Sequence, residues 1–137
     1  MHPLHFNHWA LLVSALILWF LGAIWYSPAL FAKPWRSLLK IDLDPAKKRK
    51  SMALGMISSF IGDLILSLML AHIVLWSGAD NYGTGAFIGF IVWLGFFAAP
   101  GFPQGIYEGR PFRLFAINHS YWLVGLTIAG GMLATWR

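Results

Sequence analysis

The sequence predicts an all-α polytopic membrane protein, a four-transmembrane-helix bundle with a short cytoplasmic interfacial helix after the first span. Three observations carry this prediction. Of 137 residues, 58% are hydrophobic and only 11% are charged, where a soluble domain carries about a quarter. The mean hydropathy of +0.66 leaves too little polar surface to cover a water-soluble core, so lipid is the expected solvent. Four long apolar runs alternate with short polar connections. A single domain over 1–137 is expected, with spans at about 8–31, 51–76, 85–107 and 112–136 and a break at 100–105 in the third.

The first run is long enough to span with some tilt. No Lys or Arg precedes it and it exceeds a signal h-region, so it reads as a retained span. Pro28 has no N–H and its ring crowds the carbonyl of Ile24, which predicts a kink or an end around Trp25-Tyr26-Ser27-Pro28. Residues 33–40 form the interfacial helix. Pro34 suits its first position, Trp35, Leu38 and Leu39 dip into lipid, and Lys33, Arg36 and Lys40 stay wet. Asp44 and Pro45 are an N-cap and first-position pair. The second helix therefore starts in water, with Lys47, Lys48, Arg49 and Lys50 on its first turns, and enters lipid near Ser51. Residues 77–84 are a polar turn. Two prolines and two glycines within 100–105 exclude regular helix there, leaving a broken helix end or irregular backbone packed inside protein. Glu108-Gly109-Arg110-Pro111 turns the chain into the fourth run.

The formal net charge is +5. Seven of the ten basic residues lie between Lys33 and Lys50, so topology explains the charge and no nucleic-acid partner is expected. The first and third connections carry nine Lys and Arg residues; the second connection and the N-terminus carry none. By the positive-inside rule both termini are outside and the two basic connections are cytoplasmic, in a plasma membrane of the bacterial inner-membrane type. The aromatic belts agree: Trp9, Trp76, Tyr82 and Trp136 fall at the outer level, and Trp25, Tyr26, Trp35 and Tyr107 at the inner level. The absence of cysteine excludes disulfides, thiolate metal sites and cysteine nucleophiles.

Several stretches together resemble a known family. Gly22-Ala23-Ile24-Trp25-Tyr26-Ser27-Pro28-Ala29-Leu30-Phe31, followed by Lys33-Pro34-Trp35, is similar to the start of the DUF1761 family of small four-span membrane proteins. The segments Tyr107-Glu108-Gly109-Arg110-Pro111, Phe115-Ala116-Ile117-Asn118, Tyr121-Trp122-Leu123 and Ala134-Thr135-Trp136-Arg137 resemble its C-terminal half. The resemblance covers most of the chain. It implies architecture and supplies no activity, cofactor or catalytic residue.

Asp63, near the middle of the second span, is the residue most in need of explanation. A central Asp costs roughly 2.5 to 3.5 kcal/mol on an insertion scale; the apolar residues around it offset this, so the helix inserts but something should face the acid. Gly55, Ser59, Asp63 and Ser67 recur at four-residue spacing with Ser58 and Gly62 alongside, a small-and-polar stripe. One reading is a proton- or cation-binding site facing a bundle interior or wet cavity. The other is a tight helix contact with Asp63 as a hydrogen-bonding staple. Asp63 lies roughly 18 Å from the inner end of its span, and Asn118 and His119 roughly 10 Å from theirs. With Tyr26 in the same half, Tyr26, Asp63, Asn118 and His119 can line one polar cluster, with Gln104 and Glu108 at its inner mouth. The alternative is that Asn118 and His119 satisfy backbone groups freed by Pro111 and the broken third helix.

Gly85 with Gly89, and Gly125 with Ala129, are small-xxx-small pairs that read as helix contacts. Lys47, Lys48, Arg49 and Lys50 can touch anionic lipid. His2, His5 and His8 are weak candidates for Cu or Zn, and read better as a solvated lead. Ile61-Gly62-Asp63 is similar to part of the intramembrane aspartyl protease motif, but Phe60 replaces its first Gly and no other span carries an Asp. No catalytic arrangement or cofactor fingerprint is visible, so a non-enzymatic protein without cofactors is expected. The function expected is a small channel or transporter-like protein for protons, cations or a small solute, centred on Asp63 and acting as a homo-oligomer. A non-catalytic accessory membrane subunit is the alternative, and outer-face metal binding a weaker one.

Overall fold

The computed structural model describes residues 5, 7–39 and 44–136; His2, Lys40 and Arg137 lie outside them. Among these the chain is helical throughout: α1 (His8–Trp25), α2 (Ala32–Leu39), α3 (Pro45–Ser77), α4 (Tyr82–Trp93), a π-helical segment (Leu94–Ala98), α5 (Ala99–Tyr107) and α6 (Phe112–Thr135). Asn7 caps α1, its Oδ1 accepting from the Trp9 N–H at 3.0 Å and the Ala10 N–H at 3.3 Å. The helix ends at Trp25, where Pro28 was expected to end it. Pro45 opens α3 with Asp44 at its N-cap, as expected, although the Asp44 side chain makes no capping bond. The α3 C-cap is Gly78 at φ 73, a left-handed position that suits a residue without Cβ. The interfacial helix begins one residue early, at Ala32, with Pro34 still inside its first turn.

The Pro- and Gly-rich stretch 100–105 is helical, not broken. The preceding π turn supplies the reason. The Ala99 N–H bonds to Leu94 O, five residues back, and the widened turn makes room for the Pro100 ring, which would otherwise meet a carbonyl four residues behind it. Pro100 sits in the first turn of α5, where a missing N–H costs nothing.

Three helices are long and apolar enough to cross a membrane: α1, α3 and the continuous helix Tyr82–Tyr107. The expected fourth, α6, has the length, with 24 residues, but Asn118-His119-Ser120 interrupts its apolar character. The fold tolerates that interruption because α6 is the central helix. It packs against α1, α3, α4, α5 and α2, and ten of its residues are buried. By contrast Phe20, Ile61, Ile65, Phe87, Ile91 and Phe96, on the three apolar helices, are exposed.

Helix register follows from pairs of contacts. Ala10 and Leu11 share a small hollow with Ala71, Val74, Leu75 and Leu133, and the Trp19 Nε1–H donates to Met56 O at 3.0 Å, so α1 and α3 are antiparallel. The tightest packing joins α4 to α6. Gly85 lies against Gly130 and Gly89 against Leu126, backbone on backbone, so a Cβ at either glycine would collide with a main-chain carbonyl. Gly125 packs under Leu18, whose Cδ2 would be 2.7 Å from an added Cβ, and Ala129 is fully buried. Those four small residues are helix contacts, as expected. Gly55 and Gly62 are not. Both are exposed with nothing within 4 Å of an added Cβ, because no neighbouring helix covers this face of α3, and residues 45–59 are exposed throughout. Replacing Gly89 by Ala should cost roughly 1 to 3 kcal/mol through overpacking. Gly62→Ala should not destabilise. Denaturation midpoints of the two purified variants check the contrast.

Candidate functional site

The buried polar groups gather where α1, α3 and α6 meet. The antiparallel register brings Ser14 of α1 to the level of Ser67 of α3, with Leu18 one turn further towards Asp63. Asp63 is 3% exposed, and Ser14 and Ser67 are fully buried. Hydroxyls elsewhere satisfy themselves within their own helix: Ser58 bonds to Gly55 O, Ser77 to Val74 O, Ser120 to Ala116 O and Thr127 to Leu123 O. The Ser14 and Ser67 hydroxyls do not, and are buried without a hydrogen-bond partner among the described residues. Nor does any described group donate a hydrogen bond to the Asp63 carboxylate. A buried carboxylate and two buried hydroxyls on facing helices, none of them satisfied by protein, form a set of oxygens able to hold a proton, a water or a cation.

Tyr121 packs beside this set, towards the Trp25 end of α1. Its phenol donates to Leu18 O at 2.9 Å and fits against Gly22, where an added Cβ would stand 3.1 Å from its oxygen. The Tyr26 ring meets it edge-on at 5.9 Å, and the Tyr26 hydroxyl donates to Asn118 Oδ1 at 2.8 Å. Trp25 fastens the same joint, its Nε1–H donating to Ile117 O at 2.9 Å. Of the four residues expected to cluster, Tyr26 and Asn118 are hydrogen-bonded to each other and Tyr26 meets Tyr121, while Asp63 makes no hydrogen bond to them. The fourth, His119, turns to the opposite flank of α6. Its carbonyl accepts from the Trp93 Nε1–H at 2.8 Å, its ring stacks on Phe115 with centroids 4.0 Å apart, and its Nε2 abuts Gly101. Ser59, expected in the stripe, is exposed one turn below Asp63.

Gln104 and Glu108 lie at the mouth of a separate cavity between α5 and α6. The Gln104 Nε2–H donates to Glu108 Oε1 at 2.9 Å, and Arg110 Nε sits 2.6 Å from Glu108 Oε2. His72 bonds to Leu68 O within α3. Of the N-terminal histidines, His5 and His8 are exposed, and the described residues contain no group of three metal-ligating side chains. Sequence reasoning missed Tyr121 and Ser14. Tyr121 falls three residues after Asn118 on one face of α6, a spacing that could have found it. Ser14 is a lone serine in an apolar run, and only its pairing with α3 distinguishes it.

A family model matches residues 9–134, nearly the whole chain; its description is "Protein of unknown function (DUF1761)". The chain belongs to the DUF1761 family. No curated protein and no solved structure matches it. The match spans the Trp25-Tyr26-Ser27-Pro28, Phe115-Ala116-Ile117-Asn118 and Tyr121-Trp122-Leu123 segments on which the resemblance rested, and the Trp25 and Tyr26 rings meet that of Tyr121. Replacing Tyr121 by Phe removes the bond to Leu18 O and should cost roughly 0.5 to 1.5 kcal/mol, read as a lowered denaturation midpoint of the purified protein.

Proposed function

We propose that this protein is an integral membrane carrier of protons or small monovalent cations, with Asp63 as the titrating or coordinating group. The observation that carries the reading is the Asp63 carboxylate itself. It is buried in the middle of a 33-residue helix, receives no hydrogen bond from the described residues, and lies one turn from the buried Ser67 hydroxyl, which like that of Ser14 lacks a partner. A packing staple would have satisfied these groups; ionisable residues inside membranes otherwise mark ion or proton pathways.

The membrane arrangement belongs to the same proposal. α1, α3, Tyr82–Tyr107 and α6 are the four spans, α6 being sheltered by the other three. Both termini are outside and the connections bearing Lys47, Lys48, Arg49 and Lys50 and Arg110 are cytoplasmic, in a bacterial inner membrane. All four basic side chains at the start of α3 are exposed, which supports contact with anionic headgroups. Trp9, Trp76, Tyr82 and Trp136, exposed at the end where the termini meet, supply the outer belt.

Replacement of Asp63 by Asn should abolish proton or cation flux in proteoliposomes while leaving the protein folded. Wild-type flux in a folded Asp63→Asn variant overturns the reading. The exposed Gly55, Ser59 and Gly62 face of α3 supports a helix contact outside the monomer. In a homo-oligomer that face meets a second copy; in an accessory subunit it meets another membrane protein. Gly55→Leu with Gly62→Leu should convert the oligomer to monomer in mild detergent, measured by light scattering. A wild-type protein that is itself monomeric, and is recovered with a different membrane chain, favours the accessory role.

A further inference from the structure

The second flank of α6 carries a site that the Asp63 reading does not use. A cavity of about 280 Å³ opens between the π segment with α5 and α6, close to the lower end of the roughly 300 to 1,000 Å³ of ligand pockets. Gly101 and Gly105 of α5 lie on its border, with Phe96, Phe97, Pro100 and Gln104 completing that side. The opposite wall is a stripe at helical spacing on α6: Phe115, His119 and Trp122, with Asn118 beside them. Phe97 closes the end of the wall nearest α4, its ring 5.2 Å from that of Trp122.

The polar groups on this wall have defined roles. Asn118 Oδ1 already accepts from the Tyr26 hydroxyl, so its amide N–H₂ is left to donate, and no described residue accepts from it. His119 Nδ1 lies 3.1 Å from Phe115 O. A carbonyl only accepts, so Nδ1 carries the hydrogen and Nε2 of the neutral ring is an acceptor. Nε2 itself is turned against Gly101, so the cavity presents aromatic walls with one free donor, the Asn118 amide. Its rim includes Phe96, 72% exposed on an apolar helix, so its opening faces the surface that lipid covers if the chain spans the membrane. The Glu108 and Arg110 pair at the mouth neutralises itself and leaves no net charge to select an ion.

We propose that this cavity binds the ring of a lipid-soluble quinone or quinol. Aromatic walls take the planar ring. The Asn118 amide donates to a quinone carbonyl, and the His119 ring, stacked on Phe115, is part of the wall. The tail leaves past Phe96 into lipid. The inference rests on the membrane reading but not on Asp63.

The test is titration of the full-length protein in nanodiscs with decylubiquinone and with its reduced quinol, following tryptophan quenching. Wild type should saturate at about one ligand per chain. Gly105→Leu fills the cavity where nothing lies within 4 Å of a Cβ, so it should keep the native circular dichroism and weaken both ligands about tenfold or more. Asn118→Leu should weaken the quinone more than the quinol, and Asp63→Asn should change neither. Three results overturn the assignment: non-saturating quenching equal in wild type and Gly105→Leu, displacement of quinone by anionic phospholipid headgroups, or tight binding of a water-soluble aromatic amide with no quinone binding. Resistance of the protein to carbonate extraction from membranes is measured alongside. If extraction releases the chain, the membrane reading fails; if it does not and quinone still fails to saturate, the cavity assignment alone fails.

Discussion

The backbone contact between α4 and α6 is the constraint on which the rest of the fold depends. Gly85 and Gly89 let α4 approach until its main chain touches that of Gly130 and Leu126. Where the surrounding solvent is as apolar as the side chains, such close van der Waals contact is the main force holding helices together. It fixes α6 against the third apolar helix along its outer half, and the register then carries down the pair: Trp93 donates to His119 O and Gly101 receives the His119 ring. With α6 held there, its other flank is free to take α1 and α3.

The central position of α6 explains its composition. Its polar run would be costly on a lipid-facing helix. Here Asn118 accepts from Tyr26, the His119 carbonyl from Trp93, and Tyr121 donates to Leu18, while Ser120 donates within α6 to Ala116 O. Burial of hydrogen-bonded polar groups is tolerable where burial of bare ones is not. The two flanks of α6 then differ in kind. The α1 and α3 flank holds oxygens that the protein leaves unsatisfied, while the α5 flank holds a cavity with aromatic walls.

Much of the architecture was legible in the chain. Pro45 marked the start of α3 to the residue and Pro28 the end of α1 to within three residues, because a missing N–H and a fixed φ act locally. The small residues Gly85, Gly89, Gly125 and Ala129 announced close contacts. The same local logic misjudged 100–105. A π turn formed by Leu94–Ala98, which has no sequence signal of its own, removes the conflict for Pro100, while Pro103 is carried inside α5. The small stripe on α3 misled for another reason. Spacing identifies a face, but not whether a neighbour covers it: Trp19 reaches Met56 and Asp63 is buried, yet Gly55 and Gly62 are exposed.

The sequence by itself determined that the chain is helical, apolar and punctuated where it is, and that an acid lies in the middle of its longest helix. Those are properties of single segments, set by hydrophobic content, cap residues and proline geometry. Which side chains meet was decided only by tertiary structure, because contacts between helices depend on register and rotation, which no single segment encodes. That is why Tyr121, unremarkable in its own helix, is the residue that ties Leu18 to the ring of Tyr26, and why His119, its neighbour by two positions, turns to the opposite flank of α6.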